Sequence, residues 1–534
     1  MHQIRVRIAP SPTGPLHIGT ARTALFNWLF ARKNRGEFIL RIEDTDLERS
    51  DPKFEEDIKN SLEWLDLEWD EFYKQSERLD VYKKYLQKLL DEGKAFWCYH
   101  TVEELEAEKK EQMKRKEAPR HVCVHKRANF QFPISPDSQS KSRILDSAKR
   151  NRDNFQKEKG IIRLAVNENS TRVIHFDDII RGTVEWQERL IGDLSLAKNL
   201  ETPLYNFAAV VDDYETKISH VIRGEDHISN TPKQILIQEA LGIKPPIYAH
   251  LPLILGPDRT KLSKRHGAES VQEYKERGYL PETIVNFMTL LGWHPAEQNR
   301  GPVPPHPRRA HYHSARRGTP SRATPPFINS KPEDIYYIDE LISLFDLKDI
   351  QKSPAVFDVK KLNWMNGYYI HQLPPEQFRA AIIPFIIKEL GVNNVEEEFL
   401  DKAQHLMTER MEKLSDIKSF DYFFKEPEYD RGLLIWPPYA KASEGKKNIS
   451  DVKKALTLIK EALEPIDWEI LDKDYIRKKL DDSAKENFGG DRGAAYWPLR
   501  VALTGKEGSP DPIEILAVLP KETVIKRINK AIAK

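Results

Sequence analysis

Residues 5–42 constrain the fold more than any other stretch. Ile4, Val6 and Ile8 alternate with Arg5 and Arg7, the period-two pattern of a strand. Pro10, Pro12, Gly14 and Pro15 break that strand. From about His17 to Asn34 the apolar residues Ile18, Ala21, Ala24, Leu25, Trp28 and Leu29 recur at helical spacing. Gly36 ends the helix, Phe38 to Ile42 read as a second strand, and another helix starts near Pro52 and runs to Leu65. Strand, turn, helix, strand, helix is the opening of a parallel α/β sheet. The turn feeding the first helix presents unpaired N–H groups and the positive end of the helix dipole, so it is a ready anion site.

The rest of the chain is organised around that opening. At 534 residues the prior is three to four domains. Residues from about Leu86 to Leu190 differ in texture: a charged helix over Val102–Lys116, a polar tract around Ser135 to Lys149, then short strands near Ile161–Val166 and Val173–Phe176. They read as a domain inserted into the sheet. Strand patterning returns at Phe207–Val211 and Ile218–Arg223, followed by a helix from about Pro232 to Leu241, which completes a split sheet. From Ile335 onward the chain reads as helical, with amphipathic runs such as Asp451–Leu463 and Ile513–Ile532. Between these parts, Ala296 to Lys331 hold six arginines, one acid and seven prolines. Such a segment buries too little apolar surface to offset its ordering entropy, and is expected to be a disordered insertion without catalytic residues.

Composition excludes several classes. Lys plus Arg is 84 against 83 Asp plus Glu, so no uniformly basic coat is present. Two cysteines exclude a disulfide framework and fit a reducing, cytoplasmic setting. No run nears 18 apolar residues, and the N-terminus lacks the apolar core of a signal peptide, so no membrane partner is expected. Charge is locally uneven, however. Met1 to Gly36 carry Arg5, Arg7, Arg22, Arg32, Lys33 and Arg35 and no acid, which favours an anionic ligand over a merely solvated face.

Two motifs carry the chemistry. In Pro10-Ser11-Pro12-Thr13-Gly14-Pro15-Leu16-His17-Ile18-Gly19-Thr20, His17 can donate to a phosphate oxygen and Gly19 lets a flat base approach the backbone. In Lys261-Leu262-Ser263-Lys264-Arg265, after Gly256-Pro257-Asp258, three cations suit a loop that closes on a polyphosphate. Each alone also fits a plain surface turn. Together, on a split α/β sheet, they point to a nucleotide.

These two motifs resemble the HIGH and KMSKS signatures of class I aminoacyl-tRNA synthetases. The stretches RIAPSPTGPLHIGTARTALFNWLFAR, FILRIEDTDLERS, YNFAAVVDDYETKISHVIRGEDHISNTPKQ, KLSKRHGA, FDVKKLNWMNGYYI and YWPLRVALTGKEGSPDPIEILAVL are similar, in order, to the bacterial-type glutamyl-tRNA synthetase family. The resemblance runs from Arg5 to Lys534 except for the Pro/Arg segment. It implies an α/β fold: a split Rossmann-type catalytic domain (1–85 and 196–256) with an inserted acceptor-binding domain (86–195). A stem-contact region with the KLSKR loop (257–375) and a mostly α-helical anticodon-binding region (376–534) follow.

The implied reaction is ATP-dependent attachment of glutamate to its tRNA through a glutamyl-adenylate, with release of AMP and pyrophosphate. ATP with Mg²⁺, L-glutamate and tRNA-Glu are the implied ligands, and the chain is expected to act as a monomer. The resemblance assigns His17, Gly19, Lys261 and Lys264 to catalysis and Pro10, His17, Gly19, Thr20 and Lys264 to ATP. It assigns Arg7, Ser11, Glu43, Tyr205 and Arg223 to glutamate: two guanidinium forks for two carboxylates and one acid for the ammonium. Which arginine takes which carboxylate stays open at this point. Cys98-x-His100 and Cys123-x-His125 match the family's zinc position, with His100 where a second Cys is usual and His121 as a substitute ligand. Competing readings are an enzyme that also charges tRNA-Gln, glutaminyl-tRNA synthetase, a tRNA-modifying short core, and a non-catalytic tRNA-binding paralogue. The helical tail argues against the second and third, and intact motifs argue against the last.

Overall fold

The computed structural model describes residues 3–46, 48–126, 160–262, 269–296, 332–435, 449–468 and 472–534. The Pro/Arg segment from residue 297 to 331 lies outside these, as does Lys264. The chain forms two units, Met1–Lys275 with Pro281–Val359, and Glu276–Leu280 with Lys360–Lys534.

The first unit is built on two half-sheets. Strand β1 (Arg5–Ile8) pairs in parallel with β2 (Glu37–Ile42), and β2 with β3 (Glu71–Lys74). Helices α1 (Ile18–Lys33) and α2 (Pro52–Trp64) follow β1 and β2. In the second half, β10 (His220–Gly224) pairs in parallel with β11 (Ile247–Leu251). The halves meet where Ser219 N–H donates to Arg5 O at 2.9 Å and Arg5 N–H to Ser219 Oγ at 2.9 Å. Strand residues such as Val6, Phe38, Leu40 and Ile222 are fully buried, as expected for parallel strands covered on both faces.

The intervening residues form an antiparallel sheet in the order β4 (Ala95–Cys98), β5 (Ile161–Leu164), β8 (Leu194–Asn199), β9 (Thr202–Pro203). The hairpin β6 (Val173–Asp178) and β7 (Gly182–Gln187) does something else. It extends the second half-sheet, with Asp178 paired to Tyr248 of β11.

A further element differs from the sequence reading. Phe207–Val211, expected as a strand, lies inside the helix Tyr205–Glu215. All five residues are buried, and a short apolar run buried on every side carries no period that separates helix from strand.

The second unit is helical, with helices such as Pro375–Phe385, Glu397–Thr408, Ile449–Leu463, Lys473–Phe488 and Gly493–Thr504. The expected run Ile513–Ile532 is two helices, Pro512–Leu516 and Lys521–Ala533, because Pro520 cannot continue the first. Arg527 is buried here and donates to the carbonyls of Leu503 and Tyr422 at 2.6 and 2.8 Å.

Candidate active site

A cleft of about 1330 Å³ opens beyond the C-terminal ends of β1 and β10, where the two half-sheets meet. In open parallel sheets this switch point is where ligands bind, because the flanking helix N-termini face it. Its lining includes Arg7, Pro10, Ser11, His17, Gly19, Thr20, Glu43, Tyr205, Arg223 and Lys261, so residues of both motifs share one cavity.

At one end of the cleft, His17 caps α1. Its Nδ1 accepts from Gly19 N at 3.2 Å and Thr20 N at 3.3 Å, and its Nε2 lies 3.1 Å from Thr20 Oγ1. Two N–H groups aimed at Nδ1 leave the ring proton on Nε2. Burial and the nearby Lys261 lower the His17 pKa, so the ring is a neutral Nε2–H donor. A Cβ on Gly19 would press on the His17 ring at 3.2 Å. No acid occupies the first turn of α1, so its positive end is uncompensated. Lys261 reaches within 3.5 Å of Asp226 Oδ2.

The other end is a buried charge network. Arg7 Nε donates to Asp213 Oδ1 at 3.0 Å, and Arg41 Nη1 to the same oxygen at 2.7 Å. Arg41 Nη2 also donates to Glu43 Oε1 at 3.1 Å. Burial pushes the Asp213 carboxyl up, but Arg7 and Arg41 outweigh that and hold it below the usual range. Glu43 is raised, by burial first, against the pull of Arg41. Tyr205 Oη lies 3.1 Å from His227 Nδ1, and burial with the nearby Arg223 pushes His227 down to about 4.

Arg223 is built differently from Arg7. Nε donates to His250 Nε2 at 3.2 Å, and Nη2 to Thr231 Oγ1 and Gln234 Oε1 at 2.8 and 2.9 Å. Nη1 is buried and has no hydrogen-bond partner. The Arg223 guanidinium is thus only 5% exposed and bonded to neutral acceptors, with no carboxylate among its hydrogen-bond partners.

Comparison with known proteins decides the family. Residues 3–301 match the catalytic domain of class I tRNA synthetases (E and Q), and residues 377–532 match an anticodon binding domain. Glutamate–tRNA ligase 1 of Caldanaerobacter subterraneus subsp. tengcongensis is 41% identical, covering 100% of this chain and 98% of that protein. The glutamate–tRNA ligase of Aquifex aeolicus is 40% identical over 100% of both. The crystal structure of a glutamate tRNA ligase from Elizabethkingia meningosepticum in complex with its amino acid superposes with a TM-score of 0.76, at 31% identity over 100% of both chains.

The chain belongs to the class I glutamate–tRNA ligase family.

In this glutamate–tRNA ligase chain the inserted antiparallel sheet carries the Cys/His cluster. The donor atoms of Cys98, His100, His121 and Cys123 all lie within 4.8 Å of one another. Cys98 Sγ is 3.4 Å from His100 Nδ1 and 3.5 Å from His121 Nε2, and Cys123 Sγ is 3.6 Å from His100 Nδ1. A tetrahedral zinc with sulfur at about 2.3 Å and nitrogen at about 2.1 Å sets its donors about 3.4–3.8 Å apart; these three S···N distances fall in that range, and two thiols with two imidazoles are a donor set that suits the ion. His125 Nδ1 is 3.4 Å from Cys123 Sγ and accepts from Tyr99 N at 3.4 Å. Glu108 Oε2 lies 2.6 Å from His121 Nδ1, the carboxylate–histidine backing typical of metal ligands. Hydrogen bonds from Cys123, His121 and His125 pull the Cys98 thiol below its ordinary range, while its bond to Cys98 pushes Cys123 up.

Sequence reasoning missed Arg41, Asp213, His227, His250 and Asp178. The pair Asp212-Asp213 inside an apolar run was the available signal: acids there must be paired. Conversely, three of the six N-terminal basic residues serve the fold. Arg22 is buried and donates to the carbonyls of Leu291 and Pro252, Arg32 pairs with Asp70, and Arg5 with Glu71.

Proposed function

We propose that this chain attaches L-glutamate to tRNA-Glu in two steps within the cleft. A carboxylate oxygen of glutamate attacks the α-phosphorus of ATP, the bond to the β-phosphate breaks, and pyrophosphate leaves. The terminal ribose hydroxyl of the tRNA then attacks the acyl carbon and gives up its proton, the acyl–phosphate C–O bond breaks, and AMP leaves. Neither step needs a protein nucleophile, so the site's work is positioning and charge stabilisation. The α1 N-terminus, the Nε2–H of His17, the backbone at Pro10, Gly19 and Thr20, and the cations Lys261 and Lys264 hold the phosphates. Mg²⁺, when bound, neutralises charge on the phosphate oxygens.

The reading rests on Arg223. The α-carboxylate loses its charge when it becomes an adenylate, whereas the side-chain carboxylate stays anionic throughout. A buried cation without internal counter-charge suits the anion that persists, so Arg223 takes the side-chain carboxylate. Arg7, already paired with Asp213, tolerates the loss of charge and faces the reacting end with Ser11. Glu43 takes the ammonium, and Tyr205 closes the pocket.

The cluster in the inserted domain holds one structural zinc through Cys98, His100 and Cys123, with His121 as the fourth ligand and His125 beside it. Zinc supplies a cross-link between segments that are far apart in sequence. The protein works as a monomer in the cytoplasm. Among the described residues no helix is long and apolar enough to cross a membrane, and both cysteines are free thiols.

Pyrophosphate exchange with glutamate, glutamine or aspartate, with and without tRNA-Glu or tRNA-Gln, tests the proposal. Glutamate should support exchange and glutamine should not. Exchange with no amino acid preference would refute it.

A further inference from the structure

Arg223 leans on a buried pair that the reaction outlined above does not use. His250 is 0% and Asp178 3% exposed, and His250 Nδ1 lies 2.6 Å from Asp178 Oδ2. Asp178 arrives there from another part of the chain, because the β6–β7 hairpin docks on β11. Its carboxylate also accepts from the backbone N–H groups of Ile180, Arg181 and His250 at 2.9, 2.8 and 3.0 Å. So many donors hold it ionised, which forces the imidazole proton onto Nδ1 and leaves a lone pair on Nε2. That lone pair receives Arg223 Nε–H.

We propose that Asp178 and His250 are positioning residues for amino-acid recognition: Asp178 locks the His250 tautomer whose Nε2 accepts from Arg223 Nε, and this holds the cleft-lining guanidinium of Arg223 in place for the substrate carboxylate. The contrast with Arg7 gives the physical reason. A carboxylate placed directly on Arg223 would fix the guanidinium equally well but would neutralise it, as Asp213 does for Arg7. An interposed neutral imidazole fixes the guanidinium and leaves its charge for the ligand.

The inference rests on the assignment of Arg223 to the glutamate carboxylate, so Arg223→Gln is the first control. The experiment is tRNA-dependent pyrophosphate exchange by the full chain, titrated separately in glutamate and ATP, for Asp178→Asn, His250→Phe and His250→Gln. Loss of a charge-assisted bond on the recognising group should raise the KM for glutamate about tenfold or more in Asp178→Asn and His250→Phe. The KM for ATP should stay within about twofold. His250→Gln keeps an acceptor near the Nε2 position and should recover most of the loss. Unchanged glutamate KM in folded His250→Phe overturns the inference, as does an equal effect on both substrates. If Arg223→Gln charges glutamate normally, the pocket assignment itself fails. Should the variants not fold, nitrogen NMR of the ¹⁵N-histidine-labelled wild type decides. His250 must show a protonated Nδ1 and a bare Nε2, and the opposite tautomer or an imidazolium overturns the proposal.

Discussion

Arg7 Nε stands 3.0 Å from Asp213 Oδ1, with both side chains buried, so one of the two pocket arginines carries its own counter-charge. Arg223 has no such partner, and this asymmetry predicts unequal roles. On the proposed assignment, Arg223→Gln leaves the glutamate side chain without a buried cation. The expected loss is roughly 3 kcal/mol, about a hundredfold in kcat/KM for glutamate. Steady-state exchange measures it, and normal glutamate charging by the variant would make Arg223 a structural residue.

His17 does two jobs with two nitrogens, and they can be separated. Asn is a good N-cap, so His17→Asn should keep the α1 cap and the melting temperature while removing the Nε2–H donor. His17→Ala should lose both, with about 1 kcal/mol of stability gone as well. Activation should fall by about a hundredfold in either variant. Calorimetry beside pyrophosphate exchange distinguishes the pair, and an active His17→Asn would confine His17 to capping.

Protein purified without chelator should contain about one zinc per chain. Cys98→Ser should release it and loosen the inserted sheet while the cleft keeps part of its activity. His121→Gln should weaken zinc binding more than His125→Gln, and Glu108→Gln by about tenfold through the orientation of His121. Metal analysis and the thiolate absorption of the cobalt-substituted protein report these directly. Equal zinc content in wild type and Cys98→Ser would refute the site.

Acid should destabilise the first unit early. His227 is lowered to about 4 by burial and by Arg223, from an ordinary value of 6.5. The folded state therefore binds fewer protons than the unfolded chain. The stability carried by the neutral ring is complete above about pH 6.5 and is lost as pH falls toward 4. His17, His220 and His250 are lowered too, chiefly by burial, and act in the same sense. Urea midpoints measured from pH 8 to 4 should fall below pH 6.5, and His227→Gln should flatten part of that slope. A slope unchanged in the variant would show that His227 titrates normally.

By itself, the sequence determined the parts whose signals are local. The period-two strand at Ile4–Ile8, the Pro/Gly turn and the helical spacing after His17 depend on neighbours a few residues away, so the parallel sheet and the turn that enters α1 were legible. Long matched motifs placed Arg7, Glu43, Tyr205, Arg223 and the Cys/His pair for the same reason. The helix Tyr205–Glu215 was not legible, because burial on all sides erases the period that marks it. Tertiary structure alone decided the charge partners. Asp213 meets Arg7 across 206 residues and His250 meets Asp178 across 72, and each pairing is fixed by how strands dock rather than by spacing. It also decided how two buried arginines of the cleft lining, Arg22 and Arg223, are held. A buried guanidinium takes whatever acceptors the docked chain supplies, carbonyls for Arg22 and neutral side chains for Arg223, and composition carries no record of that choice.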